Sequence, residues 1–176
     1  MRNGFTLIEL LVVLVLIAMM AALAVPRIGS SIANLELKTT AQKVAGMLKS
    51  ARSTAVSEKM PTIAAFEAKK NRWRVMPIPE SFRYDLDGFD QQWPEIEQDE
   101  NTKILYNYEM PAEIGLNALA ADGSIIDKRI VGIAFYPNGA SNGGQLRLYK
   151  KGHNEFGYEV AVDPLTGIVS VSETEE

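Results

Sequence analysis

Residues 5–25 form an unbroken apolar run in which only Thr6 and Glu9 are polar. Wound as a helix, a run of this length spans roughly 31 Å, enough to cross the hydrocarbon core of a bilayer. Pro26 follows and predicts a kink, because proline removes one helical hydrogen bond. Helical patterning then resumes. Leu37, Ala41, Val44, Leu48, Ala51 and Ala55 recur at alternating spacings of four and three, which is one apolar stripe of an amphipathic helix. Ile28, Ile32 and Leu35 fall on nearly the opposite face. The upper stripe is expected to pack on the protein's own sheet, and the lower one on neighbouring molecules. Pro61 predicts that the helix ends near Lys59.

Beyond Pro61 the period changes to two. The segments TIAAFE (62–67) and RWRVMPI (72–78) flank AKKN, a hairpin signal. Further strands are predicted at 130–136, 145–150, 156–163 and 167–171, where Val131, Ile133 and Phe135 alternate and Phe156, Tyr158, Val160 and Val162 share a face. The turns between them are PNGASNGG and DPLTG. Residues 79–102 are rich in proline, acid and glycine and read as a long loop. A helix followed by antiparallel strands is an α+β pattern. The expected architecture is a long N-terminal helix, membrane-spanning in its first half and amphipathic in its second, packed on an antiparallel β-sheet head.

Composition narrows the chemistry. The chain has 176 residues and no cysteine, which excludes a disulfide scaffold and a thiolate metal site. Its one histidine, His153, lies between glycine and asparagine and reads as a solvated turn residue. There is no G-x-S-x-G, P-loop, H-E-x-x-H or C-x-x-C pattern. No enzyme is expected, and no catalytic residue, metal ligand or cofactor is assigned. Residues 85–100 carry seven acids, but their glycine stands fourth, not sixth as in an EF-hand-like loop. A solvated acidic loop is the expectation there. Trp73, in a strand, is expected in the core; Trp93, beside Pro94 in the polar loop, is the better candidate for a partner contact. Two basic groups stand out, Lys69, Lys70, Arg72 and Arg74, and then Arg147, Lys150 and Lys151. A net charge of −4 with an acidic loop and tail argues against nucleic-acid binding.

The carboxylate of Glu9 needs an explanation inside so apolar a run. Three readings compete. A secretory signal peptide would use Arg2, the core at 10–20 and a cut after Ala24, but Glu9 sits badly in that reading and the helix pattern continues past the cut. A plain uncleaved anchor would tolerate Glu9 by letting it reach the headgroups, at about 2.5–3.5 kcal/mol or less. The third reading gives the acid a role. Gly4-Phe5-Thr6-Leu7-Ile8-Glu9 resembles the processing motif of type IV pilins and pseudopilins. The resemblance implies that prepilin peptidase cuts after Gly4, that Phe5 becomes the N-methylated first residue, and that Glu9 guides assembly. A freed amine at Phe5 is mostly protonated near neutral pH. Lone charges are costly in hydrocarbon, and a pair offsets much of that cost, so amine and Glu9 of successive subunits would set register. Arg2 lies on one side of the run and Arg27, Lys38 and Lys43 on the other, so the positive-inside rule does not fix orientation.

The head extends the resemblance. FYPNGASNGG (135–144) and DPLTG (163–167), each leading into a strand, are similar to the C-terminal part of the GspH class of minor pseudopilins. Residues 79–125 carry no such likeness. The implied division is a leader at 1–4, a membrane segment at 5–25, an amphipathic helix at 26–60 and a β-rich periplasmic head at 61–176. The implied function is that of a minor pseudopilin of type II secretion, single-pass in the bacterial inner membrane. The implied partners are the major and other minor pseudopilins, the inner-membrane assembly platform and prepilin peptidase. A minor type IV pilin of a pilus or DNA-uptake system is the alternative, against which the missing cysteines weigh. An anchored periplasmic binding protein would instead need a deep ligand pocket.

Overall fold

A computed structural model of the chain describes residues 6–78, 103–120, 123–126 and 130–175, and within these not the side chains of 21–33, 130, 153–155 and 175. The helix α1 (Leu7–Ser57) runs through Pro26 without leaving the helical conformation. Two compact units divide the chain, Met1–Glu36 and Leu37–Glu176.

In the first unit, the described side chains of 6–20 are exposed all round the helix. Leu35, at its end, is 63% exposed, while Ile28 and Ile32 lie outside the described residues. Among the described residues no helix is long and apolar enough to cross a membrane. The proposed span at 5–25 falls partly outside them.

The second unit is built on two antiparallel sheets rather than one. The strands are β1 (Thr62–Glu67), β2 (Arg72–Pro77), β3 (Tyr106–Glu109), β4 (Ile114–Leu119), β5 (Ile125–Ile126), β6 (Ile130–Phe135), β7 (Gly144–Lys150), β8 (His153–Val162) and β9 (Val169–Glu175). The first sheet has the order β3-β2-β1-β6 and the second β5-β4-β7-β8-β9. The AKKN hairpin forms, in the register Thr62↔Pro77 to Glu67↔Arg72. Asn71 takes a left-handed conformation, φ 48°, to close it.

The stripe from Leu37 to Ala55 is the head's spine: its six residues are all buried. They meet Ala64, Phe66, Trp73 and Val75 of the first hairpin, Ile133 and Phe135 of β6, and Leu146, Leu148, Val160 and Val162 of the second sheet in one core. The alanines at 41, 51 and 55 let the sheets approach the helix closely. A smaller cluster, Ile63, Ala65, Met76, Ile78 and Ala134, occupies the other face of the first sheet, so that sheet is apolar on both sides.

The helix ends at Ser57, near the expected point, with Lys59 in a positive-φ turn. Three expectations change. The last strand, expected at 167–171, is Val169–Glu175. His153 opens β8, and the turn before it is Lys151-Gly152; Gly152 takes φ 83°, so the reversal falls one residue earlier than the sequence implied. Strands β3, β4 and β5 fall in 103–126, where no strand was expected. The loop at 79–102, including Trp93 and the acids of 85–100, lies outside the described residues.

Candidate functional site

The amino-terminal site begins with its helix cap. Thr6 precedes the first turn, and its Oγ1 accepts a hydrogen bond from the Glu9 backbone N–H at 3.3 Å. Threonine at the cap and glutamate three residues on are the two halves of a capping box. The cap places Glu9 in the first turn, where the helix dipole favours a carboxylate. Gly4 and Phe5 lie outside the described residues. Around Glu9, leucines, valines and isoleucines are exposed on every side, Leu7 by 85%. A helix that is apolar all round needs lipid or protein against it.

In the head, the two motif turns are joined to the helix by one side chain that the sequence did not single out. Arg52 Nε donates to the carbonyl of Gly139 and to that of Thr166, both at 3.1 Å. Gly139 and Gly167 both have positive φ, 87° and 63°. A Cβ on Gly167 would come within 2.3 Å of the Gly139 oxygen, so only glycine fits. Asp163 holds the second turn: its Oδ1 accepts from the backbone N–H of Leu165 and Thr166 and from the Thr166 hydroxyl, at 2.7–3.1 Å. The Thr166 hydroxyl and N–H, ahead of the Leu165 N–H, keep the Asp163 carboxyl below the usual range. Leu165, at the tip of this turn, is 85% exposed.

The first turn locks the edge of β6. Asn142 Oδ1 accepts from Ala134 N at 2.9 Å, and its Nδ2 donates to Gly132 O at 3.3 Å. The Ser141 hydroxyl donates to Ala134 O at 2.8 Å and accepts from Gly143 N at 3.0 Å. Side chains thus take the place of a neighbouring strand. A shallow cleft of about 650 Å³ lies beside this turn, lined by Leu119, Gln145, Ala161, Ser170, Pro164 and Ile168 among others. Its walls are largely apolar and offer no convergent set of charges.

The structure disperses the basic groups. Arg74 is buried and paired with Glu67, and Arg72 and Lys70 reach the same carboxylate at 3.2 and 3.3 Å. Burial alone would raise the Glu67 pKa, but Arg74, helped by Lys70 and Arg72, holds it below the usual range. Lys151 Nζ donates to Ala112 O at 2.7 Å. Three of the four cations in the first group therefore serve an internal carboxylate. Trp73 is fully buried, as expected of a core residue.

A helix half enclosed by antiparallel sheets, with its apolar amino-terminal part exposed, defines a pilin-like subunit. The chain belongs to the GspH family: the model described as type II transport protein GspH matches residues 40–166. The prokaryotic N-terminal methylation motif matches residues 1–25. Among solved structures, the minor pseudopilin EpsH from the type II secretion system of Vibrio cholerae is similar with a TM-score of 0.56 at 14% identity, over 80% of this chain and 96% of that one. The type IV minor pilin FimU of Pseudomonas aeruginosa is similar with a TM-score of 0.54 at 16% identity, over 79% and 90%. These likenesses establish the fold. No curated protein matches the chain. The family consists of structural pilin-like subunits.

Proposed function

We propose that the chain is a minor pseudopilin of a type II secretion pseudopilus. It is made as an inner-membrane precursor with its head in the periplasm, cut between Gly4 and Phe5 by prepilin peptidase, and methylated at Phe5. It then joins a periplasmic filament that helps export folded proteins across the outer membrane. Major and other minor pseudopilins and the assembly platform are its partners. The observation that supports this most is the pairing, in one chain, of the methylation motif at 1–25 with a GspH-type head at 40–166. Glu9, held in the first helical turn, is the acid that meets the amine of a neighbouring subunit.

Deleting the gene in its own bacterium should abolish secretion of folded exoproteins and leave pilus-dependent motility and DNA uptake intact. The reverse result would favour the minor type IV pilin of a pilus or DNA-uptake system, a reading supported by the fold shared with FimU. Intact mass of the protein from membranes should correspond to a chain starting at a methylated Phe5. A start after Ala24, or no cut, would overturn the processing assignment.

A further inference from the structure

A sheet edge presents unpaired backbone donors and acceptors, and folded proteins shorten, block or charge such edges. Among the described residues the edges are β3 and β6 in the first sheet and β5 and β9 in the second. β3 has only four residues and β5 only two. β6 is occupied by Asn142 and Ser141, as described above. β9 is different. It runs for seven residues, VSVSETE, pairs only with β8, and contains no proline. The register with β8 is continuous from Phe156↔Glu175 to Val162↔Val169, so no bulge bends β9 away. Ser170, Val171, Ser172 and Glu173 are all exposed. No charge guards the first four residues of the strand.

We propose that β9 is a docking edge that accepts an extended, cationic strand from another polypeptide. The backbone row specifies a strand as occupant, since only another extended backbone matches its repeat of donors and acceptors. The acids specify its charge. Glu173, which is exposed, and Glu175 both belong to this strand. Glu173 is pinned there by the Tyr158 hydroxyl at 2.8 Å, with Lys38 Nζ at 3.9 Å. A partner strand with lysine or arginine opposite Glu173 would place a cation beside its carboxylate, and a β-branched residue two positions away beside Val171. The proposal holds whether the filament is a pseudopilus or a pilus.

The test uses the full chain in detergent micelles and a synthetic peptide, Thr-Val-Lys-Val-Lys-Val-Thr, at saturation. Amide exchange in 169–175 should slow by about tenfold or more, with the rest of the head unchanged. N-methylating alternate peptide amides should remove the effect, as should Ser172→Lys, which leaves thermal stability unaltered. A glutamate version of the peptide should bind more weakly. Absence of slowing at β9, slowing centred elsewhere, or equal effects from the N-methylated peptide would each overturn the docking edge. Equal binding of the glutamate peptide would overturn the cationic specification.

Discussion

Arg52 illustrates how much one side chain can hold. Its Nε reaches two carbonyls from turns far apart in sequence, Gly139 and Thr166. Bonds to a charged donor are worth more than neutral ones, so Arg52→Ala should cost about 1.5–3 kcal/mol in urea denaturation of the full chain. Arg52→Lys should recover only part of that, because lysine has a methylene where Arg52 has its Nε donor. Tyr158 gives a second handle. Burial first, then the Glu173 carboxylate, pushes its phenol up to about 12. A raised pKa in the fold means that this stability is fully present below the ordinary phenol value and is lost as pH rises toward about 12. Tyr158→Phe should therefore flatten the alkaline limb of a thermal-stability profile. Asp163 works in the opposite direction. Its depressed carboxyl supports the turn at neutral pH, and that support is lost as pH falls through its folded value, below the usual carboxylate range. Asp163→Asn should shrink the acid-limb loss.

At the scale of elements, the helix was the most legible part of the chain. All six residues of the stripe from Leu37 to Ala55 are buried, because a 3.6-residue period against a sheet leaves few alternatives, while Thr40, Ala45 and Met47, buried beside it, were not singled out. Leu48, fully buried at its centre, should cost about 2–5 kcal/mol when changed to alanine, read by the same denaturation. The β1–β2 hairpin and strands β6 to β9 were legible for the same reason, with alternation bounded by turn residues. β3 to β5 were not. Tyr106-Asn107-Tyr108-Glu109 is mostly exposed, so its alternation carries little apolar signal, and β5 is too short to show a period. The clamp at Arg52 was also hidden, since an arginine on a helix looks like any solvated one. Only the glycines of the two turns hinted that something packs closely there. The edge lock by Asn142 was read as plain turn chemistry, because a side chain mimicking a strand leaves no periodic trace.

For the whole molecule, two separate family models match the two parts of the chain. The motif at 1–25 and the domain at 40–166 together carry the family assignment. If Glu9 is an assembly acid, Glu9→Ala should insert and be cleaved normally yet fail to enter filaments, read by comparing membrane and sheared-filament fractions. Normal entry would refute that role. The head should be unaffected, since the described residues of its core run from Leu37 onward. Asn142 has a further consequence of a different kind. It is followed by glycine, the pair most prone to spontaneous deamidation, in which the glycine nitrogen attacks the asparagine side chain. In the folded head that nitrogen is held by the Ser141 hydroxyl, and the asparagine amide is bonded at both ends. Folding therefore keeps this chemical clock stopped. It would run in unfolded chains, where conversion to aspartate or isoaspartate would erase the donor that reaches Gly132 and leave aged precursor with a weakened β6 edge.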